Sequence, residues 1–391
     1  MKTENWKTVR LEDIFDLQMG KTPDRKKLDY FQGSHKWISI ADISKSEKYI
    51  SETKECLSDE AITSSGIKSI PKDTLIMSFK LSIGKTAITS DEMYSNEAIM
   101  AFLPNGKCET DNSFLYHLFS NKDWSEGSNK AVKGITLNKA SLSESKIPLP
   151  PLEEQKHIAA VLDKCTALIA KHKLMLERYD TLIKSRFIEM FGDNPSKNGK
   201  WQINELGTLS EIGSSKRIFA NEYVSEGIPF YRSKEIRELG NRERPSIELY
   251  ISYEKYNEIK TKYGLPKKND ILIAAIGATI GYTWIIDTDS PFYYKDGNLI
   301  LISNIKKLDS IFLNEILKTE IKAYKERASG SAQLALTIEK MEKLQIPVPP
   351  IELQNDFAAF VQQIDKSKFV VQKSLEKAEI LYKSLMQEYF G

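Results

Sequence analysis

The chain contains one phrase twice, and this repetition constrains its fold more than any other feature. KIPLPPLEEQKHIAAVLD, at residues 146–163, returns as QIPVPPIELQNDFAAFVQ at residues 345–362. The copies lie at one constant offset of 199 residues, where Gln155 falls on Gln354, and no gap is needed up to the Phe-Gly pair that ends each copy. Because an internal repeat reflects a repeated structural unit, the sequence predicts two copies of one architecture.

The segments that precede the two copies repeat more weakly. PKDTLIMSFKLSIGKTAI (71–88) parallels PKKNDILIAAIGATIGYTWI (266–285), with Gly84 on Gly281. Short apolar runs bounded by turn residues are typical of buried strands, so DTLIMSF and DILIAAI are predicted strands, and SIGKTAI and TIGYTWI are predicted to return antiparallel after tight turns. HKWISIADI parallels IPFYRSKEI less clearly, and the remainder does not align.

The pattern predicts an α+β chain of four parts. Two divergent globular domains, head 1 (residues 1–146) and head 2 (residues 193–345), are each followed by a long helix, at 147–192 and 346–391. Further helices are expected near NSFLYHLFS and IFLNEILKTEIKAYKE. The fold class is therefore two globular domains joined by two long antiparallel coiled-coil helices, related by a pseudo-twofold tandem repeat.

The long helices carry a seven-residue repeat of apolar residues. The first runs from about Glu153 to Phe191, which is roughly 55 Å at 1.5 Å per residue and too long to stand alone. A strict seven-residue repeat is typical of a left-handed coiled coil. Either the two helices pack against each other, which the repeat favours, or each pairs with a second chain. The predicted seam consists of Leu162, Ile169, Leu176, Ile183, Val361, Ile364, Val371 and Leu375.

Two further stripes flank this seam on the first helix. A stripe that includes Leu168 and Leu182 is the more apolar, and a weaker one includes Cys165 and His172. We expect His172 to be a core histidine with satisfied hydrogen bonds rather than a ligand or a base. In the second helix, Lys368 is the one seam residue that does not fit the pattern.

The composition excludes several classes of protein. A net charge of +2 from 56 basic and 54 acidic side chains means that any binding of nucleic acid depends on local positive charge. Three scattered cysteines predict neither a disulfide framework nor a zinc site and favour the cytoplasm. The N-terminus has no apolar signal region, and the most apolar run, 271–286, is too short for a membrane span.

The sequence contains no recognisable catalytic motif. SIGKT and MGKTP resemble parts of a phosphate-binding loop, but the glycine that must stand five residues before Gly-Lys is replaced by Phe79 and Phe15. The sequence contains no Gly-x-Gly-x-x-Gly, no Asn-Pro-Pro-aromatic motif of an amino-methyltransferase, and no metal-ligand spacing. No catalytic residue and no metal site is predicted.

Polar and basic loops are what remains. GKTPDRKK and NKAVKGITLN in head 1, and SSKR, YRSKEIR, NRER and RASGSAQLAL in head 2, carry side chains that suit contacts with phosphates and base edges. The alternative is that these residues only solubilise the surface. The candidate DNA contacts are Lys21, Thr22, Arg25, Lys80, Lys130, Lys133, Lys216, Arg217, Arg232, Lys234, Arg242, Arg244, Ser331 and Gln333.

These features together resemble the specificity subunit of type I restriction-modification systems. The resemblance covers the whole chain and rests on IPLPPLEEQ with IPVPPIELQ, the two Phe-Gly helix ends, and the hairpin glycines Gly84 and Gly281. It implies that each head is a target-recognition domain for one half of a split, asymmetric site in double-stranded DNA. The helices are then expected to set the gap between the halves.

The resemblance also implies partners and an absence of catalysis. The helices would dock two modification (methyltransferase) subunits, which in turn recruit restriction-translocation subunits, and no membrane is involved. The methyl donor, ATP and magnesium are expected only on those partners, and no cofactor is expected on this chain. Two other classes stay open at this point: a self-sufficient methyltransferase or nuclease, which the missing motifs oppose, and a coiled-coil scaffold without a DNA role.

Overall fold

The chain divides into two units in a computed structural model. Unit 1 comprises Met1–Lys173 and Ser374–Gly391, and unit 2 comprises Leu174–Lys373. The structure describes residues 6–80, 82–124, 130–131, 134–135, 137–196, 199–327 and 334–391.

Unit 1 contains head 1, the start of the first long helix and the end of the second. Its strands are β1 (Lys7–Arg10), β2 (Phe15–Met19), β3 (His35–Ile38), β4 (Tyr49–Ile50), β5 (Glu55–Leu57), β6 (Leu75–Ser78), β7 (Thr86–Thr89), β8 (Tyr94–Ser95), β9 (Ile99–Pro104), β10 (Lys130–Ala131), β11 (Gly134–Ile135) and β12 (Lys146–Leu149). Its helices are α1 (Leu11–Ile14), α2 (Ile40–Lys45), α3 (Asp59–Ser65), α4 (Asn112–Asn121), α5 (Lys139–Glu144) and the first part of α6 (Leu152–Phe191).

Unit 2 contains head 2 and the complementary parts of the long helices. Its strands are β13 (Gln202–Glu205), β14 (Glu211–Gly213), β15 (Tyr223–Val224), β16 (Ile228–Tyr231), β17 (Tyr250–Ile251), β18 (Ile271–Ala274), β19 (Thr283–Ile285), β20 (Tyr293–Tyr294), β21 (Leu299–Ser303) and β22 (Gln345–Val348). Its helices are α7 (Leu206–Leu209), α8 (Ser233–Gly240), α9 (Tyr253–Tyr263), α10 (Ser310–Arg327), α11 (Ile338–Glu342) and the first part of α12 (Ile351–Phe390).

The repeat extends through both heads. Head 1 has a sheet of order β2-β9-β6-β7-β4, and head 2 has a sheet of order β14-β21-β18-β19. Each head has a second sheet, β5-β3-β8 in head 1 and β15-β17-β16-β20 in head 2, which contains one parallel pair, β3 with β8 and β16 with β20. The predicted strands are confirmed, and the weak match of HKWISIADI to IPFYRSKEI is confirmed as β3 and β16. Topology thus identifies equivalences where side chains have diverged beyond alignment.

The predicted hairpins carry a glycine of the same backbone conformation two residues before the returning strand in both heads. Gly84 and Gly281 have φ of +85° and +86°, a left-handed conformation that glycine adopts without a steric penalty. A Cβ at Gly281 would lie 2.6 Å from Ile321, and one at Gly84 would lie 3.2 Å from Trp124. Because SIGKT connects two antiparallel strands instead of leading from a strand into a helix, it is not a phosphate-binding loop.

The proline-rich segments are short strands that join each head to its long helix. β12 pairs antiparallel with β1, and β22 pairs with β13, so Pro148 lies opposite Thr8 and Pro347 opposite Ile203. Proline donates no hydrogen bond, which confines it to such two-stranded ribbons and edges. The prolines then end the strand, and the long helix begins at once.

In each unit the two long helices are antiparallel, as predicted. In unit 1, Lys173 lies 3.4 Å from Glu379, while the start of α6 shares a core with the end of α12. In unit 2, Phe187 packs on Phe357 with ring centroids 5.4 Å apart. Both helices therefore bury their seams within this one chain.

The predicted seam is buried or half-buried along its whole length, but the two flanking stripes of α6 are reversed. Leu168 and Leu182 are 44% and 45% exposed, whereas Cys165 is buried and His172 is half-buried. Spacing by seven does not decide which neighbouring stripe faces the partner helix, because a 3.6-residue helix places both beside the seam.

Two residues of the long helices, Lys368 and His172, differ from expectation. Lys368 pairs with Asp180 of the facing helix at 2.6 Å, so the discordant lysine is a charge partner across the seam. The Nδ1 atom of His172 is buried and has no hydrogen-bond partner among the described residues. The expectation that His172 is fully satisfied is therefore wrong.

Candidate nucleic-acid interface

Each head presents a loop directly after the first strand of the sheet that contains its hairpin. Residues 20–27 follow β2 in head 1, and residues 214–219 follow β14 in head 2. Because β2 pairs with β9 as β14 pairs with β21, the two loops occupy equivalent positions. We call them the reading loops.

The reading loop of head 1 is anchored through its backbone. The N–H of Lys21 donates to the carbonyl of Ser95 at 2.8 Å, and its carbonyl accepts from Nε1 of Trp37 at 3.1 Å. The ammonium of Lys21 donates to the carbonyl of Ser65, and the residue remains exposed. A fixed backbone with exposed side chains is the arrangement that a readout surface needs.

Arg25 is the most constrained cation of this loop. Its guanidinium lies 4.1 Å from the ring centre of Phe31 and 4.7 Å from that of Trp37, and 2.7 Å from the carboxylate of Glu55. Half of the side chain, 51%, remains exposed. Stacking and pairing orient the planar fork, and an oriented fork suits bidentate contact with a guanine edge.

The reading loop of head 2 uses different residues in the same place. The N–H of Lys216 donates to the hydroxyl of Tyr293 at 2.8 Å, and its ammonium lies 4.6 Å from the ring centre of Tyr263. Arg217 pairs with Asp296 at 3.0 Å while its side chain stays 69% exposed. Phe219 ends the loop and is 59% exposed. Exposed cations and aromatics are thus concentrated here.

Each reading loop faces a carboxylate of its own head, Glu97 in head 1 and Asp296 in head 2. Neither carboxylate was among the residues predicted from the sequence. The hydroxyl of Thr22 donates to Glu97 in head 1, as Arg217 donates to Asp296 in head 2. Burial raises the pKa of Glu97, but the Thr22 hydrogen bond and nearby cations lower it further, so its pKa lies below the usual value. The available signal was that Glu97 falls on Asp296 at the offset of 199.

Arg232 and Lys234 are already paired with carboxylates. Arg232 lies 2.8 Å from the buried Glu235 and 2.9 Å from Glu248, and Lys234 lies 2.7 Å from Glu248. Hydrogen bonds from Lys234 and Arg232 lower the pKa of Glu248 to about 2. Contact of either cation with a phosphate would require an exchange of partners.

The remaining described candidates fall into different environments. Arg242 pairs with Asp365 of α12, which ties head 2 to the helix. Arg244 is exposed and has no ion-pair partner within the described part of the chain. Lys80 is half-buried with its ammonium 5.3 Å from the ring centre of Phe79.

Four candidates cannot be placed as side chains. Lys133, Ser331 and Gln333 lie outside the described residues, and for Lys130 only the backbone is described, in the β10–β11 hairpin. Contact of any candidate residue with DNA stays a prediction.

The described residues form neither a metal site nor a membrane-spanning helix. Among these residues, no group of three or more His, Cys, Asp or Glu side chains could hold a metal ion. Among the same residues, every helix is too short or too polar to cross a membrane.

The fold and the loops define a two-headed binding protein built as a tandem repeat. The model of the type I restriction modification DNA specificity domain matches residues 3–178 and again residues 198–381. The chain therefore belongs to this family, and the resemblance inferred from the sequence is confirmed.

Known proteins agree with this placement. The MjaIX type I restriction enzyme specificity subunit of Methanocaldococcus jannaschii is 24% identical over 92% of this chain and 87% of its own length. A Haemophilus influenzae protein described as a type I restriction enzyme specificity subunit is 33% identical over 67% of this chain and 66% of its own length.

A solved structure shares the fold. The S subunit of a type I restriction-modification system from M. genitalium superposes with a TM-score of 0.62 at 16% identity and covers 100% of this chain and 97% of its own.

Proposed function

We propose that this chain is the DNA-recognition subunit of a type I restriction-modification complex, in which each head reads one half of a bipartite, asymmetric target. The observation that carries the proposal is the pair of reading loops. The two loops occupy equivalent positions in the two heads, and each is held against a carboxylate at the equivalent position of its own head. Their sequences differ, GKTPDRKK in head 1 and SSKRIF in head 2. Different side chains in equivalent places favour different half-sites.

The helices are proposed to set the gap between the half-sites. Each has 40 residues, or about 60 Å at 1.5 Å per residue. Major-groove faces recur about every 34 Å along DNA, so a spacer of fixed length selects a fixed gap.

The outer faces of the helices are proposed to dock two methyltransferase subunits, with which restriction-translocation subunits then associate. Large apolar side chains on these faces stay exposed, which is unusual unless a partner covers them. They are Leu168, Ile380 and Leu381 in unit 1 and Leu174, Leu182, Phe369 and Val370 in unit 2.

Catalysis is proposed to take place on the methyltransferase and restriction-translocation subunits. We propose that the methyl donor, ATP and magnesium bind there, and that the complex acts on chromosomal DNA in the cytoplasm. The SIGKT segment of this chain, which resembles part of a phosphate-binding loop, is a hairpin turn between two antiparallel strands.

The test is to express the chain with its methyltransferase partners in a host without other modification systems and to map methylated adenines genome-wide. We expect one motif with two unequal halves and a fixed gap, which disappears when this gene is omitted. Methylation by the purified chain alone would support the self-sufficient enzyme instead. A complex without sequence preference would support the scaffold.

A further inference from the structure

One buried glutamine stands at the start of each long helix. Gln155 and Gln354 are 1% and 0% exposed, and both belong to the duplicated phrase, as the last residue of LEEQ and IELQ. A buried amide must have its two N–H donors and its oxygen satisfied, or the burial is costly. What satisfies these amides therefore indicates what the glutamines do.

Gln155 connects three segments of unit 1. Its Oε1 accepts from the backbone N–H of Asp111 at 2.9 Å. Its Nε2 donates to the carbonyl of Glu109 at 3.2 Å and to that of Pro150 at 2.8 Å. The side chain therefore joins α6 to the loop before α4 and to the end of the proline-rich strand.

Gln354 repeats every one of these contacts in unit 2. Its Oε1 accepts from the N–H of Asp309 at 2.9 Å, and its Nε2 donates to the carbonyls of Lys307 at 3.2 Å and Pro349 at 2.8 Å. The heads have diverged beyond alignment around this loop, yet the three bonds join equivalent backbone groups at the same lengths. We call each set the glutamine clamp.

The clamped loop also positions the helix of the head. Asp111 caps α4 by accepting from the N–H of Phe114 at 2.8 Å, and the ring of Phe114 lies 5.5 Å from that of Phe390 at the end of α12. Each clamp thus holds its head where the start of one long helix meets the end of the other.

The same arrangement occurs in unit 2. Asp309 accepts from the N–H of Phe312 at 3.1 Å, and the ring of Phe312 lies 4.7 Å from that of Phe191 at the end of α6.

We propose that Gln155 and Gln354 are positioning residues that fix the tilt of each head on its helix and thereby set the gap between the half-sites. This inference rests on the proposed function. A base pair rises ~3.4 Å along the DNA axis. A tilt that moves a reading loop by a few ångströms therefore alters the accepted gap by one pair.

Only a glutamine side chain can make all three hydrogen bonds of the clamp. Leucine would leave one buried N–H and two buried carbonyls without partners, and glutamate would lose both donors. Asparagine keeps the amide but is one methylene shorter, so it cannot reach the loop and the proline carbonyl together. Q155N and Q354N are accordingly the mild variants, and Q155A and Q354A the severe ones.

The experiment uses the full chain assembled with its methyltransferase subunits. Methylation rates are measured on duplexes that carry the mapped half-sites separated by the native gap, one pair fewer or one pair more. The wild-type complex should prefer the native gap. In the variants we expect this preference to fall by about tenfold, as the loss of a buried hydrogen-bond set implies, while the choice of bases in each half-site stays the same.

A second readout establishes that the clamp was released without unfolding. Hydrogen exchange at the amide of Asp111 should accelerate in Q155N, and that of Asp309 in Q354N, while the thermal unfolding transition stays cooperative. Q362A, which changes an exposed glutamine on α12, should alter neither exchange nor gap preference.

The outcomes separate the two proposals. A folded variant with faster exchange and an unchanged gap preference overturns the positioning role, as does an equal loss of rate at all gaps. A wild-type complex without any preferred gap overturns the proposed function, and the clamp then has no spacing to set.

Discussion

At the scale of single residues, head 1 is attached to both long helices by one buried polar group. His117 is 1% exposed, and its Nε2 donates to Oδ1 of Asp163 on α6 at 2.8 Å, because a carboxylate can only accept. Its Nδ1 then accepts from the hydroxyl of Tyr382 on α12 at 3.4 Å. Lys48 completes the group with its ammonium 2.6 Å from Asp163.

This group predicts a loss of stability on mild acidification. Burial lowers the pKa of His117 below its usual value, although Asp163 partly opposes this. A lowered pKa means that the unfolded chain takes up the proton first, so stability falls as the pH drops below about 6.5. Burial raises the pKa of Asp163, but hydrogen bonds from Lys48 and His117 lower it further, so its net shift is downward. This adds a further loss of stability at lower pH.

The measurement is urea unfolding of the isolated chain between pH 7.5 and 5, compared with H117N. The variant should be less stable at pH 7.5, because bonds are lost, but should show a flatter pH dependence over this interval. Equal slopes for the two proteins would refute the assignment to His117.

Also at this scale, the two loop arginines form a matched pair of tests. We expect R25Q to relax base discrimination at one position of one half-site, at a cost of about 1–3 kcal/mol, and R217Q to do the same in the other half-site. Methylation of duplexes with single substitutions in each half measures this. R186Q, which changes a partly exposed arginine of α6, is the control. Effects of one variant on both half-sites would contradict the assignment of one half-site to each head.

At the scale of elements, the sequence predicts what depends on local pattern. The helix at 152–191, the hairpins at Gly84 and Gly281, and α4 and α10 all follow from spacing, turn residues and apolar runs. The burial of Cys165 in preference to Leu168 could not be predicted, because it depends on which side the partner helix occupies. The ion pair of Arg232 with Glu248 likewise could not be predicted, because Glu248 follows only after the turn beyond α8.

The contacts of the loop carboxylates and of the glutamine clamps could not be predicted from the sequence either. Glu97 and Gln155 were visible as matches at the offset of 199, but their partners lie in segments that tertiary folding brings together. A repeat in sequence identifies that a position matters in both halves. It does not identify what the position contacts.

Also at this scale, the long helices predict how the gap responds to length. Deleting residues 168–174 and, at the same offset, 367–373 removes one heptad from each helix and keeps the seam in register. Each helix shortens by ~10.5 Å, so the gap should shrink by about three base pairs while both half-sites stay the same. Methylation mapping measures the gap and both half-sites. A changed half-site would contradict the spacer role, and deleting four residues from one helix alone, which breaks the register, should abolish assembly.

At the scale of the whole molecule, the two halves are not equally exchangeable. Both halves have a two-stranded ribbon (β1–β12 or β13–β22), a glutamine clamp and a phenylalanine pair (Phe114 with Phe390, or Phe312 with Phe191). These contacts form a shared attachment for any head. The His117 group has no counterpart, because Gln362 stands where the first helix has Asp163. A foreign head placed on residues 147–192 would therefore leave Asp163 without its partners.

This asymmetry sharpens the test of modular recognition. Replacing residues 1–146 with a head from another family member should change one half of the methylation motif and leave the other half and the gap unchanged. We expect the exchange to succeed better together with D163Q, which restores the residue found at the equivalent position of α12, because an unpaired, partly buried carboxylate is removed. The mapped motif and the yield of assembled complex are the two readouts. A change in both halves of the motif would show that the heads do not read independently, and an equal yield with and without D163Q would show that the His117 group does not secure head 1.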